Sequence, residues 1–245
     1  AEIHRRVIDE QGKALLFTNV KGSEFPVVTN LFGTRKRIDL AFGSKPLEFV
    51  KRAVHAAENL LPPKPSKLWE YRDLAFSALK FGTKGVGTAP VLENRQSEVD
   101  LEKLPLLNLW HEDGGHFVTL PLVYTESPTS GKHNLGMYRI QLSGGRYEPN
   151  REIGLHYQIH RGIGIHHAAA RERGEPLRVN VFVGGPPAMN LAAVMPLPEG
   201  LSELRFAGAL MGRRVRMIDR GDGALPIHAD ADFCICGTID PDKLL

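Results

Sequence analysis

The part of the sequence that follows residue 105 consists largely of short segments with alternating or β-rich composition, which is typical of strands. These segments are PLLNLWHED, HFVTLPLVYTE, GMYRIQLSGGRYEP, GLHYQIH, LRVNVFVG, RVRMIDR and ADFCICGTI. Two stretches between them predict helices: IHHAAARERG, which ends at Gly174 with Pro176 beyond it, and PPAMNLAAVM, whose prolines suit a first turn. So many short strands predict a sheet-rich region and argue against a helical bundle.

The first third of the chain predicts a mixture of strands and helices. KALLFTNV and PVVTNLF are short apolar strands, whereas PLEFVKRAVHAAENLL has apolar residues at helical spacing until PPKP at 62–65 ends it. A second helix, LWEYRDLAFSALKF, follows, and a polar stretch then leads into the strand-rich region. We therefore predict an α+β protein with an α/β domain at 1–95 and a second domain at 96–245.

Composition and charge exclude several classes of protein. Hydrophobic residues make up 42% and charged residues 24% of the chain, which is enough for a core and argues against disorder. The net charge is only +3 and the basic residues are scattered, so we expect no nucleic-acid partner. No apolar run approaches the ~18 residues of a membrane span. Cys234 and Cys236 would face the same side of a strand and cannot join distant segments, which favours a reducing, cytoplasmic setting.

The segment HNLGMYRIQL places polar side chains on an otherwise apolar strand. Gly136 interrupts the alternation, and a bulge or turn there would re-aim Asn134. An unpaired buried guanidinium is costly, so Arg139 must meet an anion or reach water. On the strand alone, a surface ion pair at the rim is the more ordinary role for Arg139, and binding of a ligand anion is the alternative.

Two further segments carry side chains that could bind a metal. GLHYQIHRGIGIHH holds four of the ten histidines, at positions 156, 160, 166 and 167, but their spacing matches no zinc pattern, and hydrogen-bonded structural histidines are the alternative. In LSELRFAGAL, Ser202 could cap a helix and place Glu203 in its first turn, where the helix dipole favours a carboxylate. A helix-start role for Glu203 is the alternative to metal binding.

Together these segments offer an amide oxygen, an imidazole and a carboxylate. Such a mixed set of oxygen and nitrogen ligands suits a six-coordinate divalent ion with open positions. A single carboxylate does not neutralise a divalent cation, so a phosphate ligand would supply the missing negative charge. The residues alone therefore permit a metal-bridged phosphate cofactor without requiring one.

Five separated segments resemble, in the same order, the UbiD family of decarboxylases: NLFGTRKRI, GGHFVTLPLVYTESPTSGKHNLGMYRIQ, HYQIHRG, VFVGGPPAMNLAAVMPLPEGLSELRFAGAL and DFCICGTIDP. The resemblance implies an N-terminal α/β domain followed by a split β-barrel, similar to flavin reductases, that holds prenylated FMN. The phosphate of this cofactor would be held by Mn²⁺ and K⁺.

The resemblance also implies roles for individual residues. Asn134, His156 and Glu203 would bind manganese, with His160 as the competitor of His156. Backbone carbonyls would hold potassium at Ala192, Ala193 and Met195. The flavin would contact Met137, Tyr138, Arg139, His156, Gln158, Arg161 and Gly162. Arg139 would in addition be catalytic, because the family arginine faces the substrate carboxylate.

The activity implied by the resemblance is that of a carboxy-lyase that releases CO₂ without net oxidation. The default substrate is 4-hydroxy-3-polyprenylbenzoate of ubiquinone biosynthesis, and another aromatic or α,β-unsaturated acid is the alternative. An FMN-binding oxidoreductase and a non-catalytic flavin- or metal-binding fragment are the rival functions.

The resemblance further implies a homo-oligomer, a flavin prenyltransferase that supplies the cofactor, and a cytoplasmic protein, with peripheral association at the inner membrane as an option. Family members continue past DFCICGTIDPDKLL into a stretch with two catalytic acids and then a C-terminal α/β domain. We therefore expect this chain to be a fragment with weak or no turnover of its own.

Overall fold

The computed structural model describes residues 2–43, 82–104, 107–197 and 201–243, together with positions 48 and 51. Within these ranges the helices are α1 Glu2–Asp9, α2 Arg35–Phe42, α3 Gly162–Glu172, α4 Pro187–Val194 and α5 Glu203–Met211. The first strands are β1 Leu15–Phe17, β2 Val27–Thr29, β3 Thr83–Gly85, β4 Phe117–Val118, β5 Leu122–Glu126 and β6 His133–Gly136. The later strands are β7 Ile140–Gln141, β8 Gly154–Leu155, β9 Leu177–Val183, β10 Val215–Ile218, β11 Ile227–His228 and β12 Phe233–Ile239. The predicted α+β class is confirmed.

The strands of the described residues form four sheets. The largest has the order β12-β9-β5-β6, and every neighbouring pair in it is antiparallel. A second sheet joins β4, β7 and β8, a third joins β11, β10 and β3, and β1 pairs with β2. β3 precedes the predicted boundary at residue 95 and is the parallel neighbour of β10, which lies far beyond it. The domain boundary and the split barrel stay predictions.

The four-stranded sheet separates two hydrophobic cores. Along β9, Leu177, Val179 and Val181 point to one face, where they pack with Ile163 of α3. Phe182 points to the other face and packs into the larger core beneath α4 and α5. Each side of the sheet is therefore covered by helices. None of the helices in the described ranges combines the length and apolarity needed to cross a membrane.

Several predicted elements are confirmed. β1, β2, β9, β10 and β12 lie within KALLFTNV, PVVTNLF, LRVNVFVG, RVRMIDR and ADFCICGTI. IHHAAARERG and PPAMNLAAVM are helical as α3 and α4, with Pro187 at the first helical position of α4. The helices predicted in PLEFVKRAVHAAENLL and LWEYRDLAFSALKF lie almost entirely outside the described residues.

Four strand predictions are wrong in their extent. One is GMYRIQLSGGRYEP, which contributes only Gly136 at the end of β6 and the two residues of β7. In the described part of PLLNLWHED the only pairing is an isolated bridge between Leu107 and Phe117. HFVTLPLVYTE is divided into β4 and β5 on either side of Pro121, which has no N–H to give to a ladder. GLHYQIH contributes only β8. An alternating pattern indicates which face each side chain takes, but a strand also needs a neighbouring backbone, and among the described residues these segments have one over only part of their length.

His228 of β11 is fully buried against Phe182, with ring centroids 6.0 Å apart and planes at 85°. Its Nδ1 accepts the N–H of Asp230 at 3.0 Å, and its Nε2 has no hydrogen-bond partner among the described residues. Burial lowers the pKa of His228 to about 4. The charge of Asp230 opposes this effect, and the charges of Arg213 and Arg216 add to it. The imidazole is therefore neutral at pH 7.

We expect His228 to make the fold sensitive to acid. Because the folded-state pKa lies below the ordinary value of 6.5, the unfolded chain binds the proton more tightly. The contribution to stability is complete above pH 6.5 and is lost as pH falls to about 4, and it amounts to about 3 kcal/mol. Urea unfolding at a series of pH values should show this loss.

His228→Asn keeps an acceptor near the position of Nδ1 but does not titrate, so its free energy of unfolding should vary much less between pH 6.5 and 4. The matched control is His111→Asn at an exposed position. An equally steep profile in His228→Asn would show that other groups cause the acid sensitivity.

Candidate functional site

β6 is an edge strand of the four-stranded sheet, and it contacts α3, α4 and α5. An edge strand leaves one row of backbone N–H and C=O groups outside the ladder. Asn134 lies on the face of β6 that meets α3, whereas Leu135 belongs to the core beneath α4 and α5. Side chains from both sides of the sheet can therefore meet at this edge.

The first turn of α5 is fixed on β6 by polar contacts. Ser202 caps α5, because its Oγ accepts the N–H of Arg205, and this confirms the predicted cap. The same Oγ lies 2.8 Å from Nε2 of His133. His133 in turn stacks on Tyr124, with ring centroids 5.7 Å apart. The start of α5 is thus tied to the beginning of β6.

Glu203 follows the cap and reaches the backbone of β6. The backbone N–H of Leu135 approaches its carboxylate and favours the charged form, so the carboxylate lies beside the residue that follows Asn134. Partial burial raises the pKa of Glu203, and the hydrogen bonds from its own N–H and from Leu135 oppose that effect. The Glu203 carboxylate of α5 therefore lies beside the backbone of the residue that follows Asn134 on β6, and the assignment of both residues as manganese ligands stays a prediction.

Asn134 is half-buried, and its Nδ2 has no hydrogen-bond partner among the described residues. Gly162 at the start of α3 lies so close that a Cβ there would be 2.0 Å from Oδ1 of Asn134. The two ends of an amide have nearly the same shape, so a rotated amide would place the oxygen at the unpartnered position. A cation beside Glu203 would satisfy that oxygen and favour the ionised carboxylate.

β6 ends at Gly136, as the interrupted alternation predicted. The ring of Tyr138 folds back over this glycine, and a Cβ on Gly136 would lie 2.4 Å from the ring. Beyond the turn, Nη2 of Arg139 donates to Oδ2 of Asp113 at 2.6 Å. Cζ of Arg139 lies 3.6 Å from the centre of the Phe117 ring. We call Arg139, Asp113 and Phe117, with the neighbouring Gln141 and His156, the Arg139 cluster.

Asp113 is the ion-pair partner that the sequence did not reveal. Its hydrogen bond to Arg139 is the main cause that lowers the pKa of Asp113. The carboxylate side chain is only 10% exposed, whereas that of Arg139 is 39% exposed, so the pair lies at the rim of the molecule. In this structure Arg139 therefore has the more ordinary of its two predicted roles, that of a surface ion pair at the rim. The loop HEDGGH contains acids, but nothing in linear spacing indicates which distant strand they meet.

His156 lies in the Arg139 cluster. Its Nε2 donates to Oε1 of Gln141 at 3.2 Å, and its ring lies 6.3 Å from that of Phe117. His160 is exposed and lies two residues before Gly162, which contacts Asn134. In the described structure His156 is therefore bonded to Gln141. The choice of His156 or His160 as the imidazole ligand of the metal stays a prediction.

The other two histidines of that segment lie on α3 and form hydrogen bonds with side chains outside this helix. His166 is buried, with its Nδ1 2.9 Å from Oγ1 of Thr125, and His167 contacts the hydroxyl of Tyr157. Burial lowers the pKa of His166. In the part of the chain that the structure describes, no three His, Cys, Asp or Glu side chains are grouped to hold a metal.

The predicted potassium ligands lie at the C-terminal end of α4. Ala192 and Ala193 belong to its last turn, and Met195 follows the helix. The carbonyl of Met195 accepts the N–H of Leu197 at 2.9 Å. The remaining predicted flavin contacts are spread over two segments: Met137, Tyr138 and Arg139 follow β6, and the exposed Gln158 and Arg161 precede α3.

Two family models match this chain. The 3-octaprenyl-4-hydroxybenzoate carboxy-lyase Rift-related domain, UbiD, matches residues 84–245, and the N-terminal domain of the same carboxy-lyase matches residues 1–57. A Chlamydia pneumoniae protein, named as one subunit of a 4-hydroxybenzoate decarboxylase, is 46% identical over 237 residues, which are 97% of this chain and 39% of that protein. The chain thus spans well under half the length of this curated relative.

Solved structures are similar over nearly the whole chain. An evolved dimeric form of the UbiD-class enzyme HmfF from Pelotomaculum thermopropionicum, in complex with prFMN, has a TM-score of 0.74 at 25% identity and covers 96% of this chain and 51% of that chain. Vanillic acid decarboxylase from Sedimentibacter hydroxybenzoicus, in closed form, has a TM-score of 0.73 at 23% identity. The match covers 98% of this chain and 49% of that chain. The second likeness concerns the fold alone.

We expect Gly162→Ala to displace Asn134, because the added Cβ would overlap its Oδ1. The cost in the free energy of unfolding should be roughly 1–3 kcal/mol, measured by urea unfolding. Gly85→Ala on β3 is the matched control, because a Cβ there meets nothing within 4 Å. Combining Gly162→Ala with Asn134→Ala should recover most of the loss, and a double variant no more stable than Gly162→Ala would place the strain elsewhere.

Proposed function

Because this chain belongs to the UbiD family of carboxy-lyases, we propose that it forms the cofactor-binding part of a non-oxidative decarboxylase that uses prenylated FMN. The observation that carries the proposal is that two residues lie at the edge strand β6, Asn134 against Gly162 and Glu203 beside the backbone of Leu135. The HmfF structure, similar over 96% of this chain, is a complex with prFMN, which supports the same class of cofactor here. We assign the cofactor to a split β-barrel within residues 96–245.

Manganese would bind between the amide oxygen of Asn134 and the carboxylate of Glu203, with His156 or His160 as the imidazole ligand. Two observations support this site: the unpartnered amide end of Asn134 and the burial that raises the pKa of Glu203. A divalent cation would lower that pKa again, because it favours the ionised carboxylate.

Potassium would bind at the C-terminal end of α4. The last carbonyls of a helix lack partners within the helix and lie at the negative end of its dipole. Ala192 and Ala193 are in this last turn, and the carbonyl of Met195 follows them. Because α4 also contacts β6, a cation here would lie on an element that touches the manganese site.

The start of α3 would hold the cofactor phosphate. α3 begins at Gly162, and Arg161 at its N-cap makes no side-chain capping bond, so the first N–H groups of the helix are open to an anion. Arg161 and Gln158 are exposed beside this position. The flavin would then extend along Met137, Tyr138 and Arg139 toward His156.

Arg139 would bind the substrate carboxylate. A guanidinium can donate two parallel hydrogen bonds to a carboxylate, and the Phe117 ring beneath it restrains its plane. Asp113 holds Arg139 in the described structure, so the substrate carboxylate would compete with Asp113 for the same donors. The prenylated flavin supplies the electron sink for loss of CO₂ when it is bound. The protein's part is to orient the carboxylate that leaves.

We propose 4-hydroxy-3-polyprenylbenzoate of ubiquinone biosynthesis as the substrate. The name of the Chlamydia pneumoniae relative favours a second candidate, 4-hydroxybenzoate, because the two proteins are 46% identical. The proposal includes a homo-oligomer, a flavin prenyltransferase as the source of the cofactor and peripheral association with the inner membrane.

Asn134→Leu and Glu203→Gln should each lower the retention of manganese and prenylated FMN at least about tenfold, because each removes a metal ligand. Protein loaded with both would be desalted, the metal measured by elemental analysis and the released flavin weighed. Asn108→Leu and Glu172→Gln, at exposed positions, are the matched controls. Full retention in both site variants would rule out this metal site, and release of unmodified FMN would favour an FMN-binding oxidoreductase.

Arg139→Gln should retain prenylated FMN but lose at least about a hundredfold in CO₂ release, because it loses the charge that orients the carboxylate. The assay uses the longest natural polypeptide that contains these residues, with 4-hydroxybenzoate and a 3-prenylated 4-hydroxybenzoate as substrates. The control is Arg146→Gln, which is exposed. If a loaded wild-type protein released no CO₂ from any aromatic acid, a non-catalytic flavin-binding role would replace this proposal.

A further inference from the structure

The two cysteines lie together on the outer strand of the four-stranded sheet. On β12, Cys234 pairs with Phe182 and Cys236 with Asn180, so both side chains take the same face. Their Sγ atoms are 3.7 Å apart. Cys234 is half-buried and packs against the larger core, whereas Cys236 is exposed.

An arginine distinguishes the two sulfurs. Nη1 of Arg220 donates to Sγ of Cys236 at 3.2 Å. The hydrogen bond from Cys234 and the charge of Arg220 lower the pKa of Cys236 to about 6, against the opposing effect of partial burial. The hydrogen bond to Cys236 and burial raise the pKa of Cys234. These shifts favour a thiolate at Cys236 and a thiol at Cys234.

We propose that Cys236 and Cys234 form a thiol oxidation site, in which Cys236 is the nucleophile toward peroxides and Cys234 resolves it to a disulfide within β12. An exposed thiolate beside a guanidinium is the environment of reactive cysteines, and an adjacent second thiol is typical of reversible sites.

The chemistry balances with a hydroperoxide as the oxidant. The Cys236 thiolate attacks one peroxide oxygen, the O–O bond breaks, and the sulfur is oxidised to a sulfenic acid while the departing oxygen takes a proton and leaves as water or an alcohol. The Cys234 sulfur then attacks the Cys236 sulfur, the S–S bond forms, and the hydroxyl leaves as a second water with the Cys234 proton. A dithiol reductant reverses the result and is itself oxidised to a disulfide.

The strand geometry makes the disulfide possible and easily reduced. Residues two apart on a strand have Cα atoms about 6.6 Å apart, which is near the upper end of the range that a disulfide spans. Deviation from ideal geometry makes a disulfide easier to reduce. The bond would therefore form under oxidant and open again under mild reductant.

The test combines alkylation with controlled oxidation of the reduced protein. Limiting iodoacetamide at pH 7 should modify Cys236 at least about tenfold faster than Cys234, by peptide mass. Stoichiometric hydrogen peroxide should remove both free thiols and lower the mass by about 2 Da, for two hydrogens, without dimers, and dithiothreitol should reverse this. In Cys234→Ser, dimedone should capture a sulfenic acid on Cys236, and in Cys236→Ser, Cys234 should stay reduced.

Arg220→Gln should slow alkylation of Cys236 about tenfold and move its pH midpoint upward, because the guanidinium favours the thiolate. Arg173→Gln, which removes a guanidinium bonded to Glu175 far from the cysteines, is the matched control. Thermal melting confirms that each variant is folded. Equal alkylation rates of the two cysteines, oxidation of wild type to sulfinic or sulfonic acid, disulfide-linked dimers, or an unchanged rate in Arg220→Gln would each overturn the proposal.

Discussion

The approach of the Glu203 carboxylate to the backbone N–H of Leu135 is the contact on which the candidate site depends. It joins the first turn of α5 to a strand whose outer backbone groups have no partner in the ladder. The same helix buries Leu204 and Phe206 in the larger core, so its position is set by packing and its first turn by hydrogen bonding. A small displacement of α5 would move Glu203 away from the backbone of β6 and would also disturb the core.

The turn at Gly136 divides one short segment between two chemical environments. Before it, Asn134 lies half-buried against Gly162, and its Nδ2 has no hydrogen-bond partner among the described residues. After it, Arg139 lies at a half-exposed rim, paired with Asp113 and stacked on Phe117. The turn depends on a residue without a Cβ, because the ring of Tyr138 occupies that place. Asn134 and Arg139 are thus held in different surroundings although they lie only a few residues apart.

Burial acts in opposite directions on the ionisable groups around the sheet. It lowers the pKa of His133, His166 and His228, so these imidazoles stay neutral and serve as hydrogen-bonding or packing groups. It raises the pKa of Glu203, because burial disfavours the charged form of a carboxylate. A bound cation would reverse only the second effect. This contrast supports a positive ligand beside Glu203 and structural roles for the buried histidines.

Elements with a strong local signal could be predicted from the amino-acid sequence. β9 and β12 follow from alternation, α4 from its prolines and α5 from the Ser202 cap, because these depend on residues close together in the chain. Only the folded structure shows which distant groups meet: Asp113 contacts Arg139, Gln141 contacts His156, and β3 pairs with β10. Which distant segments become neighbours depends on how both faces of the sheet are covered, and local periodicity does not encode that choice. The family resemblance indicated Asn134 and Glu203, but only the tertiary structure shows that Asn134 lies on the edge strand β6 and that Glu203 reaches the backbone of the same strand from α5.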